Sequence, residues 1–249
     1  MSRHFWLAVA TLAWREFVRF WRERARVAGF VGSPLLFWLI IGSGFGDLAF
    51  FFPGAVTLTV MVSATFSTMS LIEDRREGFL LSVLVSPAPR SAMVLGKVLG
   101  ASTLAWLQGL MLLGFLPLAG LRPAAASVLA AALFLYLIAF TFTALGFLIA
   151  WQMESSQGFH AVMNLVLFPL WMVSGALFSP SSAHGWMRLL MQWNPLTYSL
   201  AALRRLLGTA ADPALPALAP SVMVTAACAL TLFVLATLAV RHPPKRSFA

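Results

Sequence analysis

Six long apolar runs dominate this chain and limit the folds that are open to it. They cover residues 28–46, 51–72, 92–118, 124–151, 159–178 and 221–240. Each is close to or above the roughly 20 residues that an α-helix needs to cross a bilayer. Charged residues make up 10% of the sequence, whereas about 25% is usual in soluble proteins. We therefore predict an all-α integral membrane protein with six transmembrane helices, forming one domain over residues 1–249.

The basic residues predict how these runs are oriented. With a cytoplasmic N-terminus, every Lys and Arg falls on the inner side except Arg122, Arg188, Arg204 and Arg205. Because positive charge favours the cytoplasmic side, we expect both termini to be cytoplasmic. The net charge of +9 does not indicate nucleic-acid binding, since the basic residues flank apolar runs rather than gather on a soluble domain.

Residues 1–26 precede the first run and predict an interfacial helix. Arg15, Arg19, Arg22 and Arg26 recur at helical spacing, and aromatic residues line another side. A basic helix with an aromatic side is typical of helices that lie in the plane of the membrane surface. We interpret the segment as retained, because no small-residue cleavage site follows it.

A charged cluster, Glu73–Glu77, opens a loop over residues 73–91 between the second and third runs. It is the only such cluster between the two ends of the chain. Charged side chains are costly in hydrocarbon, so we expect the whole cluster to lie in water at the cytoplasmic face.

The apolar segment Phe79–Val85 follows this cluster. It is too short to cross a membrane and is followed by Pro87, which stops a helix. Its leucines, Leu80, Leu81 and Leu84, fall on one face of a short helix. At the boundary with water, the apolar face of such a helix is expected to be buried, either against another protein or against the lipid surface.

A second informative region spans residues 179–220, before the last run. It contains short apolar pieces broken by Pro180, Gly185 and Pro195. Segments of this kind can enter the bilayer from the outer side as re-entrant helices if protein buries their backbone. Two amphipathic helices lying on the outer surface are the alternative.

The sequence shows no pattern typical of a catalytic, cofactor-binding or metal-binding site. Gly96 and Lys97 lack the leading glycine and the hydroxyl residue of a phosphate loop. The four histidines are scattered, without the spacing of a metal site, and no nucleophile elbow is present. Ion-driven carriers usually keep carboxylates within the membrane, and the predicted spans scarcely contain charge. We therefore expect the energy source to be a partner subunit.

Two motifs resemble those of type-2 ABC exporter permeases, the family of nodulation-factor, daunorubicin and polysaccharide exporters. Glu77–Arg90, EGFLLSVLVSPAPR, is similar to the family's E-x-G-T-L-x-x-L-L-V-S-P-x-x-R loop, with Phe79 where a small residue is common. Ser174-Gly175 through Asn194–Tyr198 is similar to the family's S-G-x-x-F-P … N-P-x-x-Y region, with Ser179 inserted before Pro180. The resemblance covers nearly the whole chain.

This resemblance implies the membrane subunit of an ATP-driven exporter in the bacterial plasma (inner) membrane. It implies a dimer of permeases bound to two ATPase subunits, and these ATPase subunits hold the ATP and Mg. For the chain itself it implies six spans, a coupling helix in the loop after the second span, and re-entrant helices before the last span. The chain itself is then no enzyme. The residues implied in ATPase coupling are Glu77, Gly78, Leu80, Leu81, Leu84, Ser86, Pro87 and Arg90, and those of the outer gate are Ser174, Gly175, Pro180, Asn194, Pro195 and Tyr198.

The substrate is not readable, but aromatic-rich, charge-poor spans suit an amphipathic, lipid-linked, glycan or drug-like molecule better than an ion. A membrane scaffold or assembly factor coupled to the same ATPase is the alternative function. A third possible function is that of an intramembrane enzyme, but the sequence contains no set of residues typical of a catalytic site.

Overall fold

The computed structural model describes residues 3–22, 24–86 and 89–241, without the side chains of residues 3, 21, 22, 24–28, 30, 31 and 84. Every regular element in these ranges is helical. The helices are α1 (Arg3–Arg22), α2 (Arg24–Phe45), α3 (Leu48–Ser67), α4 (Ser70–Arg76), α5 (Phe79–Val85), α6 (Arg90–Leu113), α7 (Ala125–Gln152), α8 (Ser156–Trp171), a π-helical turn (Met172–Ala176), α9 (Gly185–Trp193), α10 (Pro195–Leu207) and α11 (Leu218–Arg241).

Five helical segments of the described chain are long and apolar enough to cross a membrane. They are α3 continued through α4, α6, α7, α8 continued through the π-helical turn, and α11. In the first predicted run, the described apolar helix Gly32–Phe45 is shorter than a span. The all-helical membrane architecture is confirmed, and the sixth span stays a prediction.

Helix α3 forms the centre of the bundle. It packs against α2, α6 and α7, and its side chains are buried along nearly the whole length. Helix α11 lies at the periphery against α7 and α10, with Met223 and Leu230 among its exposed side chains.

Helix α1 packs along α6. The α-carbons of Gly96 and Gly100 lie against the backbone of Val9 and Ala13, so close that a Cβ at either glycine would lie 2.9 Å from an atom of α1. The opposite side of α1 exposes apolar residues such as Trp14. A position at the membrane interface remains a prediction for this helix.

The short helix α5 has the bounds that the sequence predicts. Gly78 precedes it with φ of 76°, a left-handed conformation that glycine adopts without the steric cost of a Cβ. Gly78 therefore separates α4 from α5 by a turn.

Candidate coupling site and outer-face region

A buried carboxylate, Asp74, lies at the centre of an ion-pair cluster on the loop side of the bundle. Its two oxygens accept from the guanidinium of Arg15 at 2.8 and 2.6 Å, and one also accepts from Arg19 at 3.1 Å. The ammonium of Lys97 lies 2.6 Å from the same carboxylate. The Asp74 side chain has 0% exposure, so the expectation that all of Glu73–Glu77 lies in water is wrong for this residue.

The cluster extends through Lys97 to a second buried acid. Lys97 donates to Glu16 at 2.7 Å and to Ser70 at 3.3 Å, and Arg19 also pairs with Glu73. Three cations therefore balance three carboxylates, as buried charge requires. The cluster joins α1, α4 and α6 into one unit.

Sequence reasoning missed this cluster, although a signal for it is visible. Glu16 is an isolated acid in a basic helix, and Lys97 is an isolated cation in an apolar run. Isolated opposite charges in such surroundings indicate partners for each other.

Arg15 also contacts Phe79, the first residue of α5. Its guanidinium carbon lies 3.7 Å from the centroid of the Phe79 ring. A cation over an aromatic face is attracted by the ring quadrupole. Phe79, the departure from the family motif, therefore connects α5 to α1.

Two arginines of α4 bind the connection between α7 and α8. Arg75 donates to the carbonyl of Trp151 at 2.7 Å and of Met153 at 3.0 Å, and Arg76 donates to that of Glu154 at 3.1 Å. Cations at a helix C-terminus satisfy its free carbonyls and complement its dipole.

Arg90 makes the same kind of contact with α11. It donates to the carbonyls of Val240 and Arg241 at 3.1 and 3.2 Å. The predicted coupling residue Arg90 is thus hydrogen-bonded to the last helix of the same chain. The loop over residues 73–91 is therefore attached to the bundle both before and after α5.

The predicted coupling leucines do not share one exposed face. Leu80 is 4% exposed and packs in the core, whereas Leu81 is 45% exposed and Val85 is 83% exposed. Leu81 is therefore the one of these two leucines that a partner can reach. Glu77 is exposed, and Ser86 bonds through its hydroxyl to the carbonyl of Val83 at 2.7 Å. The side chain of Leu84 and residue Pro87 lie outside what the structure describes.

At the other end of α8, the residues predicted for the outer gate surround a π-helical turn. Gly175 has φ of 90°, which favours glycine, and the hydroxyl of Ser174 donates to the carbonyl of Trp171 at 2.6 Å. The indole of Trp171 donates to the carbonyl of Gly54 at 2.9 Å. This turn is thereby fixed against α3.

Asn194 and its neighbours connect α9 and α10 to the same turn. The Asn194 amide donates to the carbonyl of Leu170 at 2.6 Å, and its oxygen accepts from the backbone N–H of Leu196 at 2.9 Å. Pro195 is the first residue of α10, where its missing N–H costs no helical bond. The hydroxyl of Tyr198 donates to the carbonyl of Gln192 at 3.0 Å. The structure therefore brings Ser174, Gly175 and Asn194 together at the end of α8.

Arg204 is a buried cation that the sequence analysis did not single out. It is 1% exposed, donates to the carbonyls of Gly175 at 2.8 Å and Phe50 at 3.3 Å, and lies 4.0 Å from the centroid of the Phe50 ring. Its Nε has no hydrogen-bond partner within the described residues. Arg204 thus connects α10 to the π-helical turn and to α3.

A loop carboxylate, Asp212, holds the segment that contains Pro180. It accepts from the hydroxyl of Ser179 and from the backbone N–H groups of Ser181 and Ala214 at 2.9 and 2.8 Å. Partial removal from water raises the pKa of Asp212, but these hydrogen bonds outweigh that effect and lower the pKa to about 2. Asp212 and Arg204 line a cavity of about 330 Å³.

The described residues hold no group of three or more His, Cys, Asp or Glu arranged to bind a metal ion. The site chemistry visible here is that of ion pairs, helix-end bonds and an exposed apolar patch.

Comparison with known proteins identifies the family of this chain. Residues 8–207 match the family model described as ABC-2 type transporter. The chain is 27% identical over 220 residues to "Daunorubicin resistance ABC transporter permease protein DrrB1" of Streptomyces coeruleorubidus, covering 82% of this chain and 76% of that protein. It is 26% identical to "Nodulation protein J" of Rhizobium leguminosarum bv. trifolii, covering 80% of this chain and 79% of that protein. It is also 26% identical to "Putative transport permease ycf38" of Cyanophora paradoxa, covering 76% of this chain and 70% of that protein. The chain belongs to the ABC-2 type transporter family and is a multi-pass transmembrane transport permease.

Proposed function

We propose that this chain is the membrane subunit of an ATP-driven exporter that moves an amphipathic, lipid-linked, glycan or drug-like molecule out of the cytoplasm. Two copies of the chain act with two copies of a separate ATPase subunit, which holds the ATP and Mg. The chain itself hydrolyses no ATP. It is expected in the bacterial plasma membrane with both termini in the cytoplasm.

The observation that carries this proposal is the exposed apolar side of α5. Leu81 and Val85 are exposed on a seven-residue helix that is bonded to the bundle on both sides. Burying an apolar side chain contributes roughly 25 cal/mol per Å², so these residues favour burial away from water, and we assign the ATPase as the partner that buries them. Because α5 is attached to the bundle both before and after it, a force that an ATPase applies to α5 would be transmitted to the bundle.

The outward face of α8 supports a second copy of the chain. His160 and Asn164 are exposed there, one helical turn apart, within a segment long enough to span. Imidazole and amide groups are costly to leave in lipid. The outward face of α11, between Val222 and Leu238, is apolar apart from Thr231 in its described length. We therefore assign α8 to the dimer interface and export pathway, and α11 to lipid.

The surroundings of α9 support a re-entrant position rather than a helix on the outer surface. Its outward face exposes Trp186, Leu189, Leu190 and Trp193. Its one cation, Arg188, is turned to the carbonyls of Pro180, Ser181 and Ala183 at 3.2 to 3.4 Å. A cation in water needs no such partners, whereas one in an apolar environment does.

A membrane scaffold or assembly factor that uses the same ATPase is the second candidate function. It shares the α5 contact but moves no substrate. Export therefore separates the two, and the outward polar face of α8 favours the exporter.

The test is to purify the chain alone and with its candidate ABC ATPase subunit, and to reconstitute both preparations in lipid. We expect ATP hydrolysis only in the complex, and mass spectrometry of the copurified complex to detect a bound lipid-linked or glycan molecule. Nucleotide-specific turnover by this polypeptide alone would contradict the proposal. A complex that hydrolyses ATP but never carries or moves any molecule would favour the scaffold.

A further inference from the structure

We infer that Arg75 is the positioning residue that transmits movement of α5 to the loop-side end of α8. The inference rests on the proposed function, in which an ATPase displaces α5 and α8 lines the export pathway. It concerns a residue outside the motif that resembles the family loop.

Arg75 connects the helix that precedes α5 to the segment that precedes α8. It lies in α4, three residues before the Gly78 turn into α5. Its two terminal nitrogens bond the carbonyls of Trp151 and Met153, and its guanidinium carbon lies 5.4 Å from the centroid of the Trp151 ring. A displacement of α4 is therefore passed to the end of α7 and the connection that follows it.

The connection is short and leads straight into α8. Helix α8 begins at Ser156, and the Ser155 hydroxyl accepts from the backbone N–H of Gly158 at 3.3 Å. Three residues separate the end of α7 from the start of α8. Movement of Met153 therefore moves the first turn of α8.

The two ends of α8 are held differently. Its outer end is fixed by hydrogen bonds from Trp171 to Gly54 and from Asn194 to Leu170. Its first turns rest on α3 through ring contacts of Phe159 and His160 with Phe66, at 6.1 and 4.6 Å between centroids. Ring contacts of this kind tolerate sliding better than directional hydrogen bonds do. A pull on the connection thus swings the first turns of α8 about its outer end.

The geometry of Arg75 suits this role better than that of the neighbouring arginine. A guanidinium presents donors in a rigid fork and can hold two carbonyls at once, which an ammonium cannot match. Arg76 is exposed and makes one bond at 3.1 Å to Glu154. Arg76 is therefore a matched control in charge and position.

The experiment uses the permease–ATPase complex in lipid nanodiscs, with Cys228→Ala and Ala161→Cys carrying a bimane fluorophore. Ala161 is exposed in the second turn of α8. Trapping the ATPase with ATP and vanadate is expected to shift the bimane emission in the parent protein. A label at Leu230→Cys, on the outward face of α11, is expected to report no shift.

Arg75→Gln is expected to abolish the shift at position 161 while the ATPase stays bound and still hydrolyses ATP. Arg75→Lys is expected to reduce the shift by at least half, and Arg76→Gln to leave it unchanged. A full shift in Arg75→Gln, at unchanged thermal stability, overturns the inference. If Arg75→Gln does not assemble, Arg75→Lys decides, and a full shift in that variant overturns it. Failure of the parent complex to form or to hydrolyse ATP would refute the proposed function, and the inference with it. A parent complex that forms and hydrolyses ATP without a shift at position 161 would overturn the inference alone.

Discussion

The carboxylate of Asp74 and the ammonium of Lys97 lie 2.6 Å apart, and their side chains are 0% and 5% exposed. The pair joins the end of α4 to α6, and Glu16 attaches α1 to the same ammonium. Burying two charges is costly, and the attraction between them offsets that cost only when both partners are present. The cluster is therefore sensitive to the loss of either charge.

Replacing Asp74 by Asn is expected to destabilise the bundle strongly. The substitution keeps the size of the side chain but leaves Arg15, Arg19 and Lys97 with one buried anion fewer. Breaking a buried pair in this way costs about 3 to 5 kcal/mol, which predicts a marked fall in the melting temperature of the purified protein. Glu77→Gln, at an exposed acid three residues later, is the control and should melt like the parent. Equal melting of Asp74→Asn and the parent would show that the cluster carries no net stabilisation.

The contrast between α5 and Asp74 shows what the sequence can predict. The bounds of α5 follow from local signals, a charged cluster before it and a proline after it, and the structure confirms them. The sequence predicts Asp74 in water because charged side chains are costly in hydrocarbon. Its principal partner, Arg15, lies 59 positions away, and one sequence does not show that the two meet. Likewise, the sequence predicts only an orientation signal for the arginines of α4, and an orientation signal and a coupling role for Arg90. The structure gives these arginines specific carbonyls 76 to 151 positions away.

The region around the π-helical turn shows the same limit. The residue types of the motif around Ser174 and Asn194 predict a folded region at the end of α8, and the structure brings them together. The role of Arg204 depends on the carbonyl of Phe50, 154 positions away. The leucines at positions 196, 200, 203 and 207 recur at helical spacing and place Arg204 beside the apolar face of α10 and Arg205 away from it. This periodicity does not show which carbonyls Arg204 bonds.

Replacing Arg204 by Met is expected to loosen the π-helical turn and the start of α3. Met keeps much of the side chain's bulk but cannot donate to Gly175 or Phe50. Hydrogen exchange followed by mass spectrometry should show faster exchange in peptides covering residues 48–54 and 172–180. Arg205→Met is the matched control, because Arg205 donates instead to Pro216 and Leu215 at 2.7 and 2.8 Å. Its effect should appear near residues 213–217, and the same exchange pattern in both variants would contradict the assignment.

The orientation of the chain is tested by labelling single cysteines in a Cys228→Ala background. We choose Ser82 on α5 and Ser182 before α9, which are both exposed, whereas the neighbouring Ala183 is buried. An impermeant maleimide added to intact cells is expected to label Ser182→Cys only, and disruption of the cells should make Ser82→Cys reactive. Labelling of both in intact cells would contradict the positive-inside orientation and an odd number of crossings between them.

The last prediction concerns the contact between α5 and the ATPase, for which the structure separates two neighbouring leucines. Leu81→Asp places a charge on the exposed side of α5, so we expect it to strip the ATPase from the membrane without changing the melting temperature of the permease. Central apolar anchors usually carry most of the energy of an interface. Leu80→Asp instead places a charge in the core and is expected to lower the yield of folded permease itself.

Gln157→Asp supplies the matched control, because it adds the same charge at an exposed position on the same side of the bundle, in the first turn of α8. It should leave the ATPase bound. Glu77→Ala is expected to act more mildly than Leu81→Asp, since exposed charges contribute about 0 to 1 kcal/mol. The measurement is the amount of ATPase that copurifies with each variant, normalised to folded permease. If Leu81→Asp retains the ATPase as fully as Gln157→Asp does, α5 rests on lipid and the ATPase binds elsewhere.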